Sequence, residues 1–361
     1  MEKYKLRTSL LAAKNSKDEL VLINDVGKDG FYITGLDEDL KLVLSLLDGS
    51  LTINQIFDTV QKSGSNITKN EIYEFIDILL ESNLAYKVEE YEHILRSEDL
   101  DRFSRQISLF ESLGISPIEA EKIQKKLQNS NVVILGLGGT GSYALHSLAA
   151  IGVGKITAVD FDKVELSNIS RQMLYSEKDI GKLKTEVALE KIIKVNSSVE
   201  YNFINKKLET IEDIKEIIRG VDFVITQIDT PRFYIKKLID QACFEENIPY
   251  LVNAGTSSMT GVIGPIVIPG KTSCYHCMTA EEDFFVEEEY LKNINYRCIT
   301  PVIEPLNSVV ANIGVLEVIK HLTDFEKCNL YNKMIIFDFN SMRIEYKKIE
   351  KKKNCKLCGE K

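Results

Sequence analysis

The chain has 361 residues, of which 44% are hydrophobic and 27% charged, and it carries a formal net charge of −9 at pH 7. Its length predicts two domains, and its hydrophobic content is sufficient for a sizeable buried core. The acidic balance argues against a nucleic acid or an acidic membrane as a partner, and no apolar run approaches the roughly 18 residues of a membrane-spanning helix.

The first 95 residues have the pattern of a small α+β module. The segment 69–82, for example, places Ile72, Ile76 and Leu79 on one face of a helix. The predicted order is typical of a winged helix: a hairpin at 20–35, helices at 38–47, 53–61 and 69–82, and a strand at 83–88. Winged helices often bind DNA, but this module holds 17 Asp and Glu against 10 Lys and Arg, the wrong sign for binding phosphates.

The second predicted domain covers residues 96–361, and after residue 130 its predicted strands alternate with predicted helices. Such alternation predicts a doubly wound, mostly parallel α/β sheet of the Rossmann-like class. The strands are expected at 132–135, 155–161, 199–205, 223–227 and 250–253, the helices at 184–195, 211–218 and 307–322, and two antiparallel additions at 261–268 and 334–338.

A glycine-rich turn follows the first of these strands. Gly136, Gly138 and Gly141 separate an apolar β-branched run from a helical segment, which is the context of a dinucleotide-type fingerprint. The glycines permit a tight turn close to phosphate, and the helix N-terminus offers free N–H groups. Asp160, at the end of the next strand, is suited to ribose hydroxyls. A hydride-transferring dehydrogenase would show the same pattern.

A polar and cationic cluster after the second strand favours a different chemistry. Asn168, Arg171 and Gln172 follow that strand closely, and Lys184 comes shortly afterwards. Hydride transfer needs no cations beside the nucleotide, whereas the departure of pyrophosphate from a triphosphate does. The alternative for Arg171 and Lys184 is that they are solvated surface charges.

These motifs in combination resemble the adenylation core of the ThiF/MoeB/MccB superfamily, relatives of the ubiquitin-activating enzymes. The resemblance runs from about Asp101 to the C-terminus and implies an ATP-dependent adenylyltransferase. It rests on GLGGTGS at 136–142, DFDKVELSNISRQ at 160–172, IGKLK at 180–184 and QIDTP at 227–231.

The resemblance also implies roles for individual residues. Asp160 would bind the ribose, and Asp229 would hold Mg²⁺. Arg105 matches an arginine that such enzymes supply across a homodimer interface to the partner's ATP, and Arg102 would share its helical face. The implied catalytic residues are Arg105, Arg171, Lys184 and Asp229; the implied nucleotide site comprises Gly136, Gly138, Gly139, Gly141, Asp160, Asp162, Ser167, Asn168, Arg171, Gln172, Lys184, Asp229 and Thr230.

Four of the seven cysteines form two C-x-x-C pairs, Cys274 with Cys277 and Cys355 with Cys358. This spacing lets one turn place two thiolates on a tetrahedral Zn²⁺, and the long gap predicts a structural staple between an internal loop and the C-terminal tail. A redox dithiol is the alternative. The N-terminus lacks the pattern of a signal peptide, so the sequence predicts a cytoplasmic protein with metal-bound or free cysteines.

Cys298 is a further cysteine of interest. It follows an acidic and aromatic segment, 280–296, that resembles the crossover loop which these families place over ATP and the substrate tail. Some relatives use a cysteine near this place for sulfur or thioester chemistry, and Arg297 is a cationic neighbour that favours a thiolate. Adenylation itself needs no enzyme nucleophile, so covalent use of Cys298 stays open.

The N-terminal module points to the substrate. Residues 47–56 and 76–84 resemble the PqqD-like leader-peptide recognition element, in which a hairpin edge and the third helix clamp a peptide as an added strand. MccB-like enzymes join such a clamp to the adenylation core. This implies activation of a carboxylate, expected to be the C-terminal one, of a ribosomally synthesised precursor peptide in the maturation of a peptide antibiotic or other natural product.

Two alternatives remain for the function. The first is MoeB/ThiF-like adenylation of a ubiquitin-like sulfur-carrier protein that ends in Gly-Gly. The second is a non-catalytic peptide-binding scaffold for a partner enzyme, which is disfavoured because such scaffolds lose the phosphate-contacting residues that this chain retains. The residues do not show whether a second step, such as a nitrogen–phosphorus bond, follows adenylation.

Overall fold

The computed structural model describes residues 2–7, 10–17, 19–24, 31–88, 91–230, 234–279 and 300–359. Contacts divide the chain into two compact units, Met1–Lys125 and Lys126–Lys361. In these described stretches, no helix has the length and apolar character needed to cross a membrane. The architecture is mixed α/β with a mostly parallel central sheet, which confirms the predicted fold class.

The first unit combines short strands with helices. Its elements are β1 (Lys3–Leu6), β2 (Leu11–Lys14), β3 (Leu20–Asn24), β4 (Phe31–Ile33), α1 (Glu38–Ser45), β5 (Asp48–Thr52), α2 (Ile53–Lys62), α3 (Lys69–Glu81), β6 (Ala85–Lys87), α4 (Ser97–Arg102), α5 (Ser104–Ser112) and the start of α6 (Pro117–Asn129). The strands form two antiparallel sheets, in the orders β5–β1–β6 and β2–β3–β4. The pairing of β3 with β4 confirms the predicted hairpin. Sequence reasoning missed β1, β2 and β5, which are too short for a sustained alternation.

Threonine caps set the starts of α2 and α3. Thr52 and Thr68 each accept a hydrogen bond from the amide three residues further on, and the side chain of that residue returns to the threonine amide. Such a cap stabilises a helix by about 1 kcal/mol. The two helices then bury Ile56, Ile72 and Leu79 in the core of this unit, on the faces that their spacing predicts.

A buried carboxylate on α6 holds the segment that follows β6. Glu121 accepts hydrogen bonds from the backbone amides of Ile94 (2.8 Å) and Leu95 (3.3 Å) and from the hydroxyl of Tyr91 (3.1 Å). These bonds tie the segment to a later helix, and the first compact unit extends to Lys125. The end of a peptide-binding module at residue 95 stays a prediction.

The second unit is built on a six-stranded sheet. Its elements after α6 are β7 (Asn131–Leu135), α7 (Gly139–Ala150), β8 (Lys155–Val159), α8 (Lys184–Ile192), β9 (Glu200–Ile204), α9 (Ile211–Ile218), β10 (Phe223–Thr226), α10 (Ile235–Glu245), β11 (Tyr250–Leu251), β12 (Ala254–Ser257), β13 (Thr260–Ile263), β14 (Ile266–Val267), α11 (Tyr275–Met278), α12 (Glu304–Thr323), β15 (Lys333–Asp338) and β16 (Arg343–Lys348). The central sheet has the order β14–β11–β10–β7–β8–β9, and its β14 is antiparallel to β11.

Alternating side chains of the buried strands separate the core of this unit into two layers. Val132 and Ile134 of β7 pack with α7, α8 and α12, whereas Val133 and Leu135 pack with α9 and α10. The strand order reverses between β7 and β10, and in doubly wound sheets the carboxyl ends at such a point form the crevice that binds a nucleotide. The fold therefore places the candidate site at the ends of these two strands.

A second, antiparallel sheet has the order β12–β13–β15–β16. The predicted additions at 261–268 and 334–338 are antiparallel, as expected. The first of them is divided, because β13 lies in this second sheet while β14 lies at the edge of the central sheet. The break coincides with Gly264, which has a φ of +90° and precedes Pro265.

Candidate functional site

The glycine-rich turn after β7 requires glycine at two positions. Gly136 has a φ of +99°, and a Cβ on it would lie 2.6 Å from the carbonyl oxygen of Gln227. A Cβ on Gly141 would lie 1.9 Å from the carbonyl oxygen of Gly136. Both contacts are with backbone atoms, which cannot rotate away. The turn is therefore folded tightly against the end of β10.

The N-terminal cap residue of α7 has open space beside it. Gly138 caps this helix without any side-chain hydrogen bond, and a Cβ on it would meet no atom within 4 Å. The first amides of a helix lack intrahelical partners and carry the positive end of the helix dipole, so they bind anions. This arrangement fits the phosphates of ATP.

We expect the substitution Gly141→Ala to destabilise the second unit by about 3 kcal/mol, because its Cβ would push the backbone of the turn apart. Thermal unfolding followed by circular dichroism measures the effect. Gly138→Ala is the matched control and should unfold at the wild-type temperature, since its φ of −77° suits alanine and its Cβ meets nothing. Equal melting temperatures for the two variants would contradict this account of the turn.

Asp160 anchors the turn to β8. Its two carboxylate oxygens accept hydrogen bonds from the amides of Leu137 (2.7 Å) and Asp162 (2.8 Å). Burial raises the pKa of Asp160, while the nearby ammonium of Lys184 and these two bonds act in the opposite direction. Each carboxylate oxygen keeps a lone pair that can accept a ribose hydroxyl. The predicted ribose contact is compatible with this geometry and stays a prediction.

Lys184 is a buried cation beside the turn. It is 5% exposed at the start of α8, and its Nζ lies 2.8 Å from the carboxylate of Asp162. The side chain of Asp162 is about half exposed, with a relative accessibility of 49%. A buried ammonium with one accessible counter-ion can exchange part of that pairing for a phosphate oxygen. The structure thus brings Lys184, Asp160 and the glycine-rich turn together.

The other predicted phosphate contacts lie in the turn after β8. Asn168 is buried, and its Oδ1 accepts from the amide of Glu165, while Nη1 of Arg171 donates to the carbonyl oxygen of Ser167 at 2.5 Å. Gln172 is also buried, and its Oε1 has no hydrogen-bond partner. An unsatisfied buried acceptor normally signals a missing ligand or water.

Asp229 and Thr230 follow β10 at the reversal of strand order. Both side chains are exposed, and the hydroxyl of Thr230 donates to Asp229 at 3.3 Å. An exposed carboxylate at the nucleotide crevice is a ligand of the hard, oxygen type that Mg²⁺ prefers. Asp229 is therefore compatible with the predicted Mg²⁺ contact, which stays a prediction.

Two predicted features concern other parts of the chain. Arg105 is exposed on α5 in the first unit, and the expected common helix with Arg102 is wrong, because Phe103 separates α4 from α5. Cys298 and the expected crossover loop at 280–296 lie outside the described residues. Nothing in the described part of the chain assigns a role to Cys298 or to the segment 280–296.

The four cysteines of the two C-x-x-C pairs come together at the end of the second unit. The Sγ atoms of Cys274 and Cys277 are 3.7 Å apart, those of Cys274 and Cys355 are 3.5 Å apart, and those of Cys277 and Cys358 are 3.4 Å apart. A tetrahedral site with Zn–S bonds of about 2.3 Å needs S···S separations of about 3.8 Å. The four thiols therefore fit Zn²⁺, and their separations are too long for disulfides.

A buried carboxylate supports the helix that carries two of these cysteines. Asp240 is fully buried on α10 and accepts hydrogen bonds from the backbone amide of His276 (2.9 Å) and from the hydroxyl of Tyr250. Nδ1 of His276 also lies 2.6 Å from Asp240. The imidazole of His276 is thus engaged by a carboxylate.

Comparison with known proteins identifies the family. The ThiF family model matches residues 103–358, which is most of the chain. The chain belongs to the ThiF family. Two enzymes of Escherichia coli (strain K12) are each 29% identical to this chain. The molybdopterin-synthase adenylyltransferase matches over 269 residues, covering 74% of this chain and 99% of that enzyme; the sulfur carrier protein ThiS adenylyltransferase matches over 266 residues, covering 73% and 97%.

Solved structures extend the likeness to the whole chain. E. coli MccB with ATP superimposes with a TM-score of 0.77 at 27% identity, covering 99% of this chain and 100% of MccB. The Microcin C7 biosynthetic enzyme MccB in complex with N-formylated MccA gives the same values. This ThiF-family protein is therefore an ATP-dependent adenylyltransferase, which excludes the nicotinamide dehydrogenase.

Sequence reasoning missed several polar residues around the turn of this ThiF-family site. Thr140 donates to Oε1 of Gln227 at 2.5 Å, whereas Nε2 of Gln227 is buried and has no partner. Asn307, at the start of α12, accepts from Thr256 at 2.9 Å and stands where a Cβ on Gly139 would be. Asn307 comes from a distant helix with an unremarkable local sequence, so only the fold reveals it.

Proposed function

We propose that this adenylyltransferase activates the C-terminal carboxylate of a ribosomally synthesised precursor peptide. The proposal is supported by how much of this chain each group of similar proteins matches. The two E. coli adenylyltransferases leave about a quarter of this chain unmatched, and the family model begins at residue 103. MccB, whose solved complexes include MccA, matches 99% of the chain, including the N-terminal module.

The N-terminal module would capture the precursor peptide. In the described residues β4 pairs with β3 on one side and with no strand on the other, so the sheet β2–β3–β4 ends in an edge. An extended peptide can add to such an edge through main-chain hydrogen bonds. Residues 1–95 are then the peptide clamp, and residues 96–361 are the adenylation domain.

In the proposed reaction a carboxylate oxygen of the peptide attacks the α-phosphorus of ATP, and pyrophosphate leaves with the electron pair of the broken bond. The amides of α7, Asn168, Arg171 and Lys184 would hold the phosphates and stabilise the negative charge that develops on them. Mg²⁺ bound to Asp229 would supply further charge neutralisation. Arg105 would come from the second protomer of a cytoplasmic homodimer.

Zinc has a structural role in this proposal. Four thiolates fill a tetrahedral coordination sphere and leave no position for substrate or water. Zn²⁺ would connect the C-terminal tail to α11, and it would take no part in the transfer of the adenylyl group. Covalent use of Cys298 is not required.

Adenylation of a Gly-Gly-ending sulfur carrier is the second candidate, because one of the relatives named above is the sulfur carrier protein ThiS adenylyltransferase. The two candidates differ in the length and end of the substrate. Under the first, the chain should stimulate exchange of labelled pyrophosphate into ATP with peptides encoded by short reading frames beside its gene. Under the second, it should do so with ThiS-like carriers of the same genome.

The peptide should stimulate exchange as the free acid and not as the C-terminal amide, since only the acid provides the attacking oxygen. A variant lacking residues 1–95 should lose affinity for the peptide while it keeps affinity for ATP, which calorimetry measures separately. Exchange with the carrier protein and not with any peptide would establish the second candidate. Binding of ATP without exchange in any combination would leave the non-catalytic scaffold.

A further inference from the structure

Lys236 is a cation in the adenylation domain that the reaction described above does not use. It lies in the first turn of α10, after the segment that carries Asp229. Its Nζ donates to Oδ1 of Asn253 at 3.0 Å, and its side chain forms no ion pair with any carboxylate in the described part of the chain. Burial lowers the pKa of Lys236, and the negative charge of Asp229 acts in the opposite direction.

Asn253 presents its oxygen to Lys236 in a fixed direction. Its Nδ2 donates to the carbonyl oxygen of Val262 at 3.1 Å, which leaves Oδ1 for the lysine. An ammonium has three donors, and only one of them is engaged here. Lys236 is therefore a positioned cation with unused donors, at some cost from its burial.

The order of strands places this cation opposite the predicted phosphate-binding residues. Arg171 and Lys184 follow β8, on one side of β7, whereas Asn253 follows β11, on the far side of β10. Neighbouring strands are about 4.8 Å apart, so β11 lies about 10 Å from β7. In an in-line displacement the attacking group and the leaving group occupy opposite sides of the phosphorus. If pyrophosphate leaves toward Arg171 and Lys184, the attacking group arrives from the side of β11.

We propose that Lys236 binds the carboxylate of the acyl substrate as it approaches the α-phosphorus of ATP. One carboxylate oxygen accepts a hydrogen bond from the ammonium, and the other forms the new bond to phosphorus while the bond to the β-phosphate breaks. Lys236 keeps its proton throughout. This inference rests on the proposed adenylation of a carboxylate, but it holds for a peptide and for a Gly-Gly carrier alike.

The test combines one change in the enzyme, Lys236→Met, with one change in the ligand, the replacement of the C-terminal acid by an amide. Binding of a substrate peptide as the free acid and as the C-terminal amide is measured by calorimetry, in the presence of a non-hydrolysable ATP analogue, for wild type and Lys236→Met. The wild type should prefer the acid by about 10- to 100-fold, the effect of one charge-assisted hydrogen bond. In Lys236→Met this preference should disappear while affinity for the analogue changes by less than about twofold.

Lys237→Met on the same helix is the control for folding and net charge and should keep the wild-type preference. Lys236→Arg should restore most of the preference, because it keeps the charge and the donors. An unchanged acid–amide ratio in a folded Lys236→Met would overturn the inference alone. If neither peptide nor carrier binds the wild type with ATP analogue present, the proposed function itself fails and the inference with it.

Discussion

Lys184→Met is expected to reduce pyrophosphate exchange by about a thousandfold, the largest single effect we anticipate in the nucleotide site. Lys184 is 5% exposed, so its charge acts through a medium that screens it far less than water does. In the proposed site its removal would leave the phosphates without a buried cation. Methionine has nearly the same length, so the α8 packing should persist.

Stability should fall only modestly in this variant. Among the described residues Lys184 pairs with Asp162, whose side chain is about half exposed at 49%, and the buried carboxylate of Asp160 keeps its two backbone hydrogen bonds when it loses the nearby ammonium. Lys182→Met is the matched control. That lysine lies two residues earlier and pairs with Asp179, with about half of its side chain (51%) exposed. Full exchange activity in Lys184→Met, with a normal melting temperature, would remove Lys184 from the catalytic residues.

Cys358→Ser is expected to release the zinc ion and to lower the melting temperature by more than about 10 °C. A serine hydroxyl is a poor zinc ligand at neutral pH, and the three remaining thiols, Cys274, Cys277 and Cys355, cannot complete a closed tetrahedral site. The metal content follows from elemental analysis of the purified protein, and the stability follows from thermal unfolding with and without a chelator.

Cys328→Ser serves as the comparison, because Cys328 is also buried, at 5% exposure, and lies outside the four-cysteine cluster. It should retain one zinc per chain. The chelator should destabilise the wild type and Cys328→Ser but have no further effect on Cys358→Ser. A redox dithiol is the correct interpretation if the purified wild type contains no metal and forms a disulfide within the cluster under mild oxidation.

The sequence predicted those parts of the molecule that depend on local order. Buried strands such as β7 and β10 are rich in β-branched residues, and the spacing of the glycines marks the turn at Gly136, so the strands and the turn can be recognised from the sequence. Short elements such as β1 and β5 escape, because they are stabilised only by partners far away in the chain. Asn307 and Lys236 escape for the same reason. Their chemistry is ordinary, and only the topology brings Asn307 beside Gly139 and Lys236 beside Asn253.

At the cysteine cluster, the metal site could be predicted from the sequence but the residue that supports it could not. Their spacing indicated a common metal, and the thiol geometry agrees with it. The buried carboxylate of Asp240, which supports His276 and Tyr250, could not be expected from a lone acid in an amphipathic helix. A buried carboxylate that supports a metal site in this way can be recognised only from the positions of the side chains.

The four-thiolate cluster has a topological consequence. Cys274 and Cys355 are 81 positions apart, so a shared metal turns the chain between the pairs into a closed ring whose two ends meet at one point. Closing a ring of this size lowers the entropy of the unfolded chain by an amount worth about 4.5 kcal/mol at room temperature. Doubling its length would change that figure by only about 0.6 kcal/mol. A change in the number of residues between the two pairs would therefore alter the stabilisation by ring closure only slightly, apart from its effect on the elements packed there.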